Sequence, residues 1–214
     1  MKHRINIGCG KTPTDGWMNF DNSPSIILSN SPFKYFVAKI FGFLNKKQIE
    51  NINWNKKQKI LFADAKKKIP LPNDSAECIY TSHMIEHLSR EDSVYFLNEA
   101  FRVLEPGGIL RVAVPDLKLA VNFYAQTQDA DVFMEKILLV PPPINTIKQK
   151  ISLFFTGYRQ HQWMYDEKSL SKLIKKVGFK KIFTCKAGET HILNPGSLNL
   201  HERSDESVYV EGLK

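Results

Sequence analysis

Hydrophobic positions along this chain switch repeatedly between short strand-like runs and stretches of helical period. Arg4 to Gly8 is a short apolar run that stops at Gly8-Cys9-Gly10, the pattern of a strand entering a tight turn. Trp17 to Asp21 predicts a second strand closed by an acid, and Lys59 to Ala63 a third, followed by Asp64. Between them Phe33, Phe36, Val37, Ile40, Phe41 and Leu44 recur at i, i+3, i+4, i+7, i+8 and i+11, one apolar face of a helix. The prolines of Ile69-Pro70-Leu71-Pro72-Asn73-Asp74 force a loop, because proline continues neither a ladder nor a helix. Ala76 to Ser82 predicts the fourth strand. Ser89, with Asp92 three residues on, caps a helix carrying Leu97, Ala100, Phe101 and Leu104, and Pro106-Gly107-Gly108 stops it. Ile109 to Val114 is almost unbroken aliphatic, as in a strand buried on both faces of a parallel sheet. Asp166 caps a further helix through Leu170, Leu173, Ile174 and Val177, ended by Gly178. Phe179 to Cys185 and Ser207 to Val210 complete a set of seven strands.

Alternating strands and helices predict an α/β, doubly wound, Rossmann-like fold with a mostly parallel seven-stranded sheet flanked by helices. A chain of 214 residues suits one such domain, over 1–214. In these sheets ligands sit beyond the carboxyl ends of the strands. The residues there are Gly8-Cys9-Gly10, Asp21, Asp64, Ser82-His83 and Pro115-Asp116. Glycines followed by spaced carboxylates suit an adenosine-bearing cofactor. The glycine turn admits the ligand close to the backbone, one acid accepts from ribose hydroxyls, and another accepts from an adenine amine. A dinucleotide would need a third glycine and a helix N-terminus for its pyrophosphate. Here the turn runs on through Lys11-Thr12-Pro13-Thr14-Asp15-Gly16, with no room for a helix before Trp17. S-adenosylmethionine carries no phosphate and needs neither.

Ile5-Asn6-Ile7-Gly8-Cys9-Gly10, Gly16 to Asp21, and Ala63-Asp64-Ala65 with Ile69-Pro70-Leu71 resemble class I S-adenosylmethionine-dependent methyltransferases. The most specific likeness lies in Ser82-His83-Met84-Ile85-Glu86-His87-Leu88 and in Phe101 to Gly108; His161 to Tyr165 and Val177-Gly178-Phe179 resemble the family's late elements. The branch with a shortened first β–α unit, met among surface-polysaccharide pathways, is the more similar one. The resemblance implies an antiparallel last strand, and lid or acceptor-binding insertions at about 22–58 and 118–158. It also implies that Gly8, Cys9 and Gly10 line the methionine part, Asp21 the ribose, Asp64 and Ala65 the adenine, and Ser82 and His83 the rim near the sulfonium. The reaction so implied is in-line methyl transfer, expected to be O-methylation of a small-molecule or glycan acceptor. A general base would then help, and His83, Asp116 and His161 are the candidate catalytic residues.

Composition narrows the picture further. Apolar residues at 43% and charged residues at 24% exclude a disordered chain. Three scattered cysteines, Cys9, Cys78 and Cys185, form no C-x-x-C pair. With no signal-like N-terminus, they lead us to expect a cytoplasmic protein. His83-Met84-Ile85-Glu86-His87 also spells H-x-x-E-H, but zinc would need both histidines on one helix face, and Ser89 places the helix start too late. No metal is therefore assigned, and a zinc hydrolase is a distant alternative behind a cofactor-binding protein without turnover. The net charge of +8 brings no RNA-binding or helix-turn-helix pattern, which argues against a nucleic-acid partner. The aromatic stripe at 33–44, with Lys34, Lys39, Lys46 and Lys47, and a second stripe through Ile144, Ile147, Ile151, Phe154 and Phe155 read first as core or lid packing. They also raise a peripheral membrane contact or a lipid-linked substrate.

Overall fold

Seven strands hydrogen-bond into one sheet in the order β3-β2-β1-β4-β5-β7-β6 in the computed structural model, which describes residues 2–138 and 160–214. They are β1 (His3–Ile7), β2 (Met18–Asp21), β3 (Ile60–Phe62), β4 (Ala76–Ser82), β5 (Leu104–Pro115), β6 (Lys181–Cys185) and β7 (Ser207–Leu213). The pairings from β3 across to β5 are parallel, and β7 lies antiparallel between β5 and β6. The expected mostly parallel sheet with an antiparallel last strand is what the chain forms. Strand order reverses between β1 and β4, so Gly8 stands at the switch point, where α/β sheets place their ligands.

One sheet face is covered by α4 (Arg90–Val103) and α7 (Glu167–Val177). Phe96, Leu97, Leu170 and Ile174 close onto Ile5, Ile79, Val112 and Val210 in a single dry cluster. Both helix starts follow the sequence. The Ser89 hydroxyl accepts the Asp92 N–H at 3.1 Å, and Asp166 forms a reciprocal box with Ser169 at 2.7 and 3.0 Å. Gly178, at φ +123°, ends α7 in a conformation that side chains disfavour. The strand after α4 departs from expectation. β5 begins at Leu104 and carries Pro106-Gly107-Gly108 within it, because Ala76 at the start of β4 pairs Leu104 before the register shifts. The start of β6 retreats to Lys181, and β7 runs on to Leu213 past a buried charge, Glu211.

The opposite face carries no helix between β1 and β2. The irregular segment between β6 and β7, residues 186–206, lies there instead and packs Ile192 and Leu198 onto Trp17, Tyr80, Ala113 and Tyr209. Its anchor is a fully buried ion pair: Arg111 Nη1 donates to Glu211 Oε1 at 2.7 Å.

The 22–58 stretch holds α1 (Pro24–Ser29), α2 (Pro32–Ile40) and α3 (Lys46–Lys57). Ile26 seals against Cys9 and Ile60, and Leu28 and Ile52 hold Ala38 of α2. The predicted 33–44 helix stops at Ile40, since Gly42 at φ +67° turns the chain away. Within 118–158, α5 (Leu117–Thr127) and α6 (Ala130–Lys136) are helical; the stripe Ile144, Ile147, Ile151, Phe154 and Phe155 lies outside the described residues. No helix among the described residues is long and apolar enough to cross a membrane.

Candidate functional site

Strand register lines up the predicted positions at one edge of the sheet. Ile7 pairs Phe20 and Asp21 pairs Phe62, while Ser82 pairs Ala113. Gly8, Asp21, Asp64, Ser82 and Asp116 therefore stand at the carboxyl ends of five neighbouring strands. The Gly8 and Cys9 amides both donate to the Phe20 carbonyl, at 2.8 and 3.1 Å, which folds the glycine turn over the end of β2. Asp21 fixes that turn: its Oδ2 accepts the Gly10 N–H at 3.0 Å and its Oδ1 the Ser23 N–H at 2.7 Å. Each carboxylate oxygen keeps a second lone pair for a ligand hydroxyl.

Gly8 and Gly10 have different reasons to be glycine. At Gly8 (φ +75°) a Cβ would stand 2.6 Å from Met84 Cγ, so packing against the turn after β4 requires its absence. At Gly10 (φ +52°) a Cβ would meet nothing within 4 Å, leaving open space above the turn. The hydroxyls of Thr81 and Ser82 at the end of β4 are buried with no hydrogen-bond partner. Open space over a glycine turn, a carboxylate with spare acceptor sites and two orphaned hydroxyls fit the ribose and amino-acid tail of S-adenosylmethionine. Asp64 lies two residues past β3, and its Oδ1 accepts the Lys66 N–H at 3.0 Å. Ala65 is buried in the main core cluster beside it. The Cys9 thiol points away from the turn, into Ile26 and Ile60, and burial pushes it up to about 12, so Cys9 offers the site only its backbone.

The three candidate bases occupy distinct surroundings. His83 takes a left-handed backbone (φ +48°) straight after β4, its amide held by the Ala113 carbonyl at 2.9 Å. Arg203 Nη1 donates to His83 Nδ1 at 3.1 Å, which leaves Nε2–H to donate to Ser207 Oγ at 2.8 Å. Burial first, and then the Arg203 charge, pull His83 down to about 3. It is neutral, with its acceptor nitrogen engaged. Asp116 caps α5 through Lys118 N–H at 2.9 Å and forms a wall of a groove of about 320 Å³, together with Phe123, Asn122, Gln126, Asp205 and Glu206. His161 is buried within the segment 160–165, which runs beside the end of β5 through an Asp116–Tyr165 bridge, and burial pulls it to about 4.

Glu86 is the residue sequence reasoning passed over. It is fully buried, both carboxylate oxygens lack a hydrogen-bond partner, and burial pushes it up to about 8. His83, His87 and His161 surround it, at 3.5, 3.9 and 4.0 Å from Oε1. The signal is the H-x-x-E-H letters themselves, which are set aside as a zinc motif because the helix starts only at Ser89. Residues 85–87 form a single 3-10 turn instead, and His83 lies outside it.

Known proteins share this framework. Residues 6–112, half of the chain, match the family described as a methyltransferase domain. Over 49 residues the chain is 41% identical to a protein of Mycolicibacterium smegmatis described as a probable S-adenosylmethionine-dependent methyltransferase. That stretch covers 23% of this chain and 18% of that protein, so the chain spans under a fifth of the curated relative it matches. Among solved structures, a SAM-dependent methyltransferase from Methanosarcina mazei aligns over 100% of this chain and 92% of its own, at 14% identity and TM-score 0.53. One from Thermotoga maritima aligns over 100% and 83%, at 15% identity and TM-score 0.51. At such identities these structures speak for the fold. Because the family match spans half of the chain, with the glycine turn, Asp21, Asp64 and the Ser82–Leu88 turn, the chain belongs to the methyltransferase-domain family, class I in fold, with S-adenosylmethionine as its cofactor.

Proposed function

We propose that the chain O-methylates a hydroxyl of a small-molecule or glycan acceptor bound in the groove beyond β5. The observation that carries this reading is the groove itself. Its wall includes Asp116, at the end of β5, and Glu206, next in sequence to the Ser207 that His83 contacts, and it sets one aromatic face, Phe123, among side chains that hydrogen-bond polyols. The short Gly8–Trp17 link supports the branch with a shortened first β–α unit, and the glycan acceptor follows from that likeness. When bound, S-adenosylmethionine supplies an already activated methyl group. The chain's part is to hold the acceptor oxygen in line at ~3 Å and to take its proton. His83 is committed to Arg203 and Ser207, and His161 is packed against Glu86, so Asp116 is the base we assign. The test is S-adenosylhomocysteine release with a panel of sugars and sugar nucleotides. Turnover is expected with a polyol acceptor, falling about 100-fold in Asp116→Asn. Cofactor binding with no product from any acceptor would instead make this a binding protein.

The acceptor's carrier is suggested by α2, whose outer face leaves Phe33, Ile40 and the following Phe41 76%, 63% and 68% exposed. Lys34, Lys39, Lys46 and Lys47 are exposed around them. Apolar anchors ringed by lysines complement an anionic bilayer, where each lysine contributes about 1 kcal/mol. We propose that this face docks there to reach a lipid-linked acceptor. Co-sedimentation with anionic vesicles is expected at low salt, weakening with added salt and lost in Phe33→Glu/Phe36→Glu. Absence of binding to such vesicles at low salt would refute the contact.

A further inference from the structure

Below the rim, two distant segments bring three metal-ligand atoms to one point. The 3-10 turn after β4 supplies Glu86 and His87, and the segment 160–165 supplies His161. The Gln162 and Trp163 amides donate to the Glu86 carbonyl at 2.7 and 3.2 Å, which ties the two segments together. Glu86 Oε1 then faces His87 Nε2 at 3.9 Å and His161 Nε2 at 4.0 Å, and the three atoms lie within 4.8 Å of one another. His87 Nδ1 stands 3.0 Å from the Gln160 carbonyl. A carbonyl can only accept, so the proton is on Nδ1 and the Nε2 lone pair is turned toward Glu86. That is the orientation by which backbone carbonyls fix metal-ligating histidines.

The buried carboxylate is the second sign of a ligand. Glu86 has no exposure and neither of its oxygens accepts a hydrogen bond. Such a group is costly to keep unless a cation or donors compensate it. Arg203 is the nearby cation, but its Nη1 is directed to His83 Nδ1 at 3.1 Å and to Glu206. The contact also keeps His83 out of the ligand set. We propose that Glu86, His87 and His161 bind a divalent transition-metal ion of the zinc class through Oε1, Nε2 and Nε2. Two imidazoles and a carboxylate favour such an ion over calcium or magnesium, which take oxygen sets. Tetrahedral ligand atoms around zinc stand about 3.4 Å apart, so on loading the two distances from Glu86 to the histidines close by about half an ångström and the histidine nitrogens draw together from within 4.8 Å. Three protein ligands leave a coordination position for a water or another oxygen.

A second cluster, Cys185, His191 and Glu211, has the letters of a metal site but the opposite electrostatics. Both Glu211 oxygens are already engaged, by Arg111, Thr190 and His191, and the Arg111 guanidinium 2.7 Å away repels a cation. The two clusters are separable, because only one contains a thiol.

The test is made on the full chain, without cofactor or acceptor, so its outcome is independent of the methyl-transfer reading. Chelator-stripped protein is titrated with cobalt(II) chloride and its visible spectrum and bound metal are measured. One cobalt per chain is expected, with the ligand-field bands of a nitrogen–oxygen site, no thiolate-to-cobalt band, and displacement by zinc. His161→Gln and Glu86→Gln, which preserve size, should each weaken binding at least about 100-fold, while Cys185→Ser binds as the parent does. A cooperative melt without metal shows that each variant is folded. No retained cobalt in the parent chain overturns the proposal. So does equal retention in His161→Gln, or a thiolate band that Cys185→Ser abolishes.

Discussion

Asp21→Ala is expected to lose nearly all of the thermal stabilisation that S-adenosylmethionine confers on the parent chain. In the parent, a ligand at 100 times its dissociation constant raises stability by about 2.7 kcal/mol, and S-adenosylhomocysteine should act likewise. NAD should not, because the turn from Gly8 to Trp17 offers its pyrophosphate no helix N-terminus. Asp21 contributes twice. Its free lone pairs are expected to accept the ribose hydroxyls in charge-assisted bonds, and its two backbone contacts, to Gly10 and Ser23, fix the glycine turn. Hydrogen bonds to a charged group contribute about 1.5–3 kcal/mol. At the middle of that range the dissociation constant rises roughly 50-fold, and the loosened turn carries it toward 100-fold. At unchanged ligand concentration the shift then shrinks to about 0.4 kcal/mol. Differential scanning fluorimetry and calorimetric titration of the same samples read both quantities. A variant that keeps the parent's shift would reduce Asp21 to a turn residue and move the ribose contact elsewhere.

How much of this was legible beforehand depended on whether a residue's role is set locally. The strand ends were: an apolar run, then glycine or an acid, placed Gly8, Asp21, Asp64 and Ser82 at one edge before any register was known, and β1 to β5 bear that order out. The caps at Ser89 and Asp166 were legible for the same reason, each being a contact across three residues. Glu86 was not, because its burial is created by a segment more than seventy residues away that has no periodicity of its own. The cover of the second sheet face was equally hidden. Residues 186–206 are polar and irregular, yet they lie on the face that has no helix between β1 and β2. The aromatic stripe at 33–44 showed its period but not its outcome: only Ala38 of α2 is buried, and the phenylalanines stay outside.

Glu211→Ala is expected to destabilise the fold by about 3–5 kcal/mol, because it strands a fully buried arginine. For a domain of this size that corresponds to a melting midpoint about 6–20 °C lower. Without Glu211, Arg111 keeps only a neutral partner, the Glu189 carbonyl that accepts from its Nη1 at 2.8 Å, and no compensating charge. Its Nε and Nη2 are already buried without hydrogen bonds, and the Tyr209 ring 4.9 Å away compensates only in part. Replacing both partners, as Arg111→Met/Glu211→Leu, should recover most of the loss, since apolar groups of similar volume avoid the desolvation of two charges. Recovery in the double variant separates stranded charge from lost packing. Acid should reproduce the single variant. Burial raises the Glu211 carboxyl, but bonds from Thr190, His191 and Arg111 outweigh it and leave the group below its ordinary value. A folded value lower than the unfolded one means that the contribution is complete above the ordinary carboxylate range. It is lost as the pH falls through that range to the depressed folded value. The double variant should lack this acid-sensitive component. Function follows stability here, because the segment Glu211 holds through Thr190 and His191 also carries Glu202 onto Thr12 and Tyr80 and Arg203 onto His83. Loosening it disturbs the glycine turn and the rim together, so cofactor affinity in Glu211→Ala should weaken even at temperatures where the chain remains folded. If affinity stays at the parent value while stability falls, the segment is a cover for the sheet and the site is held by the strands alone.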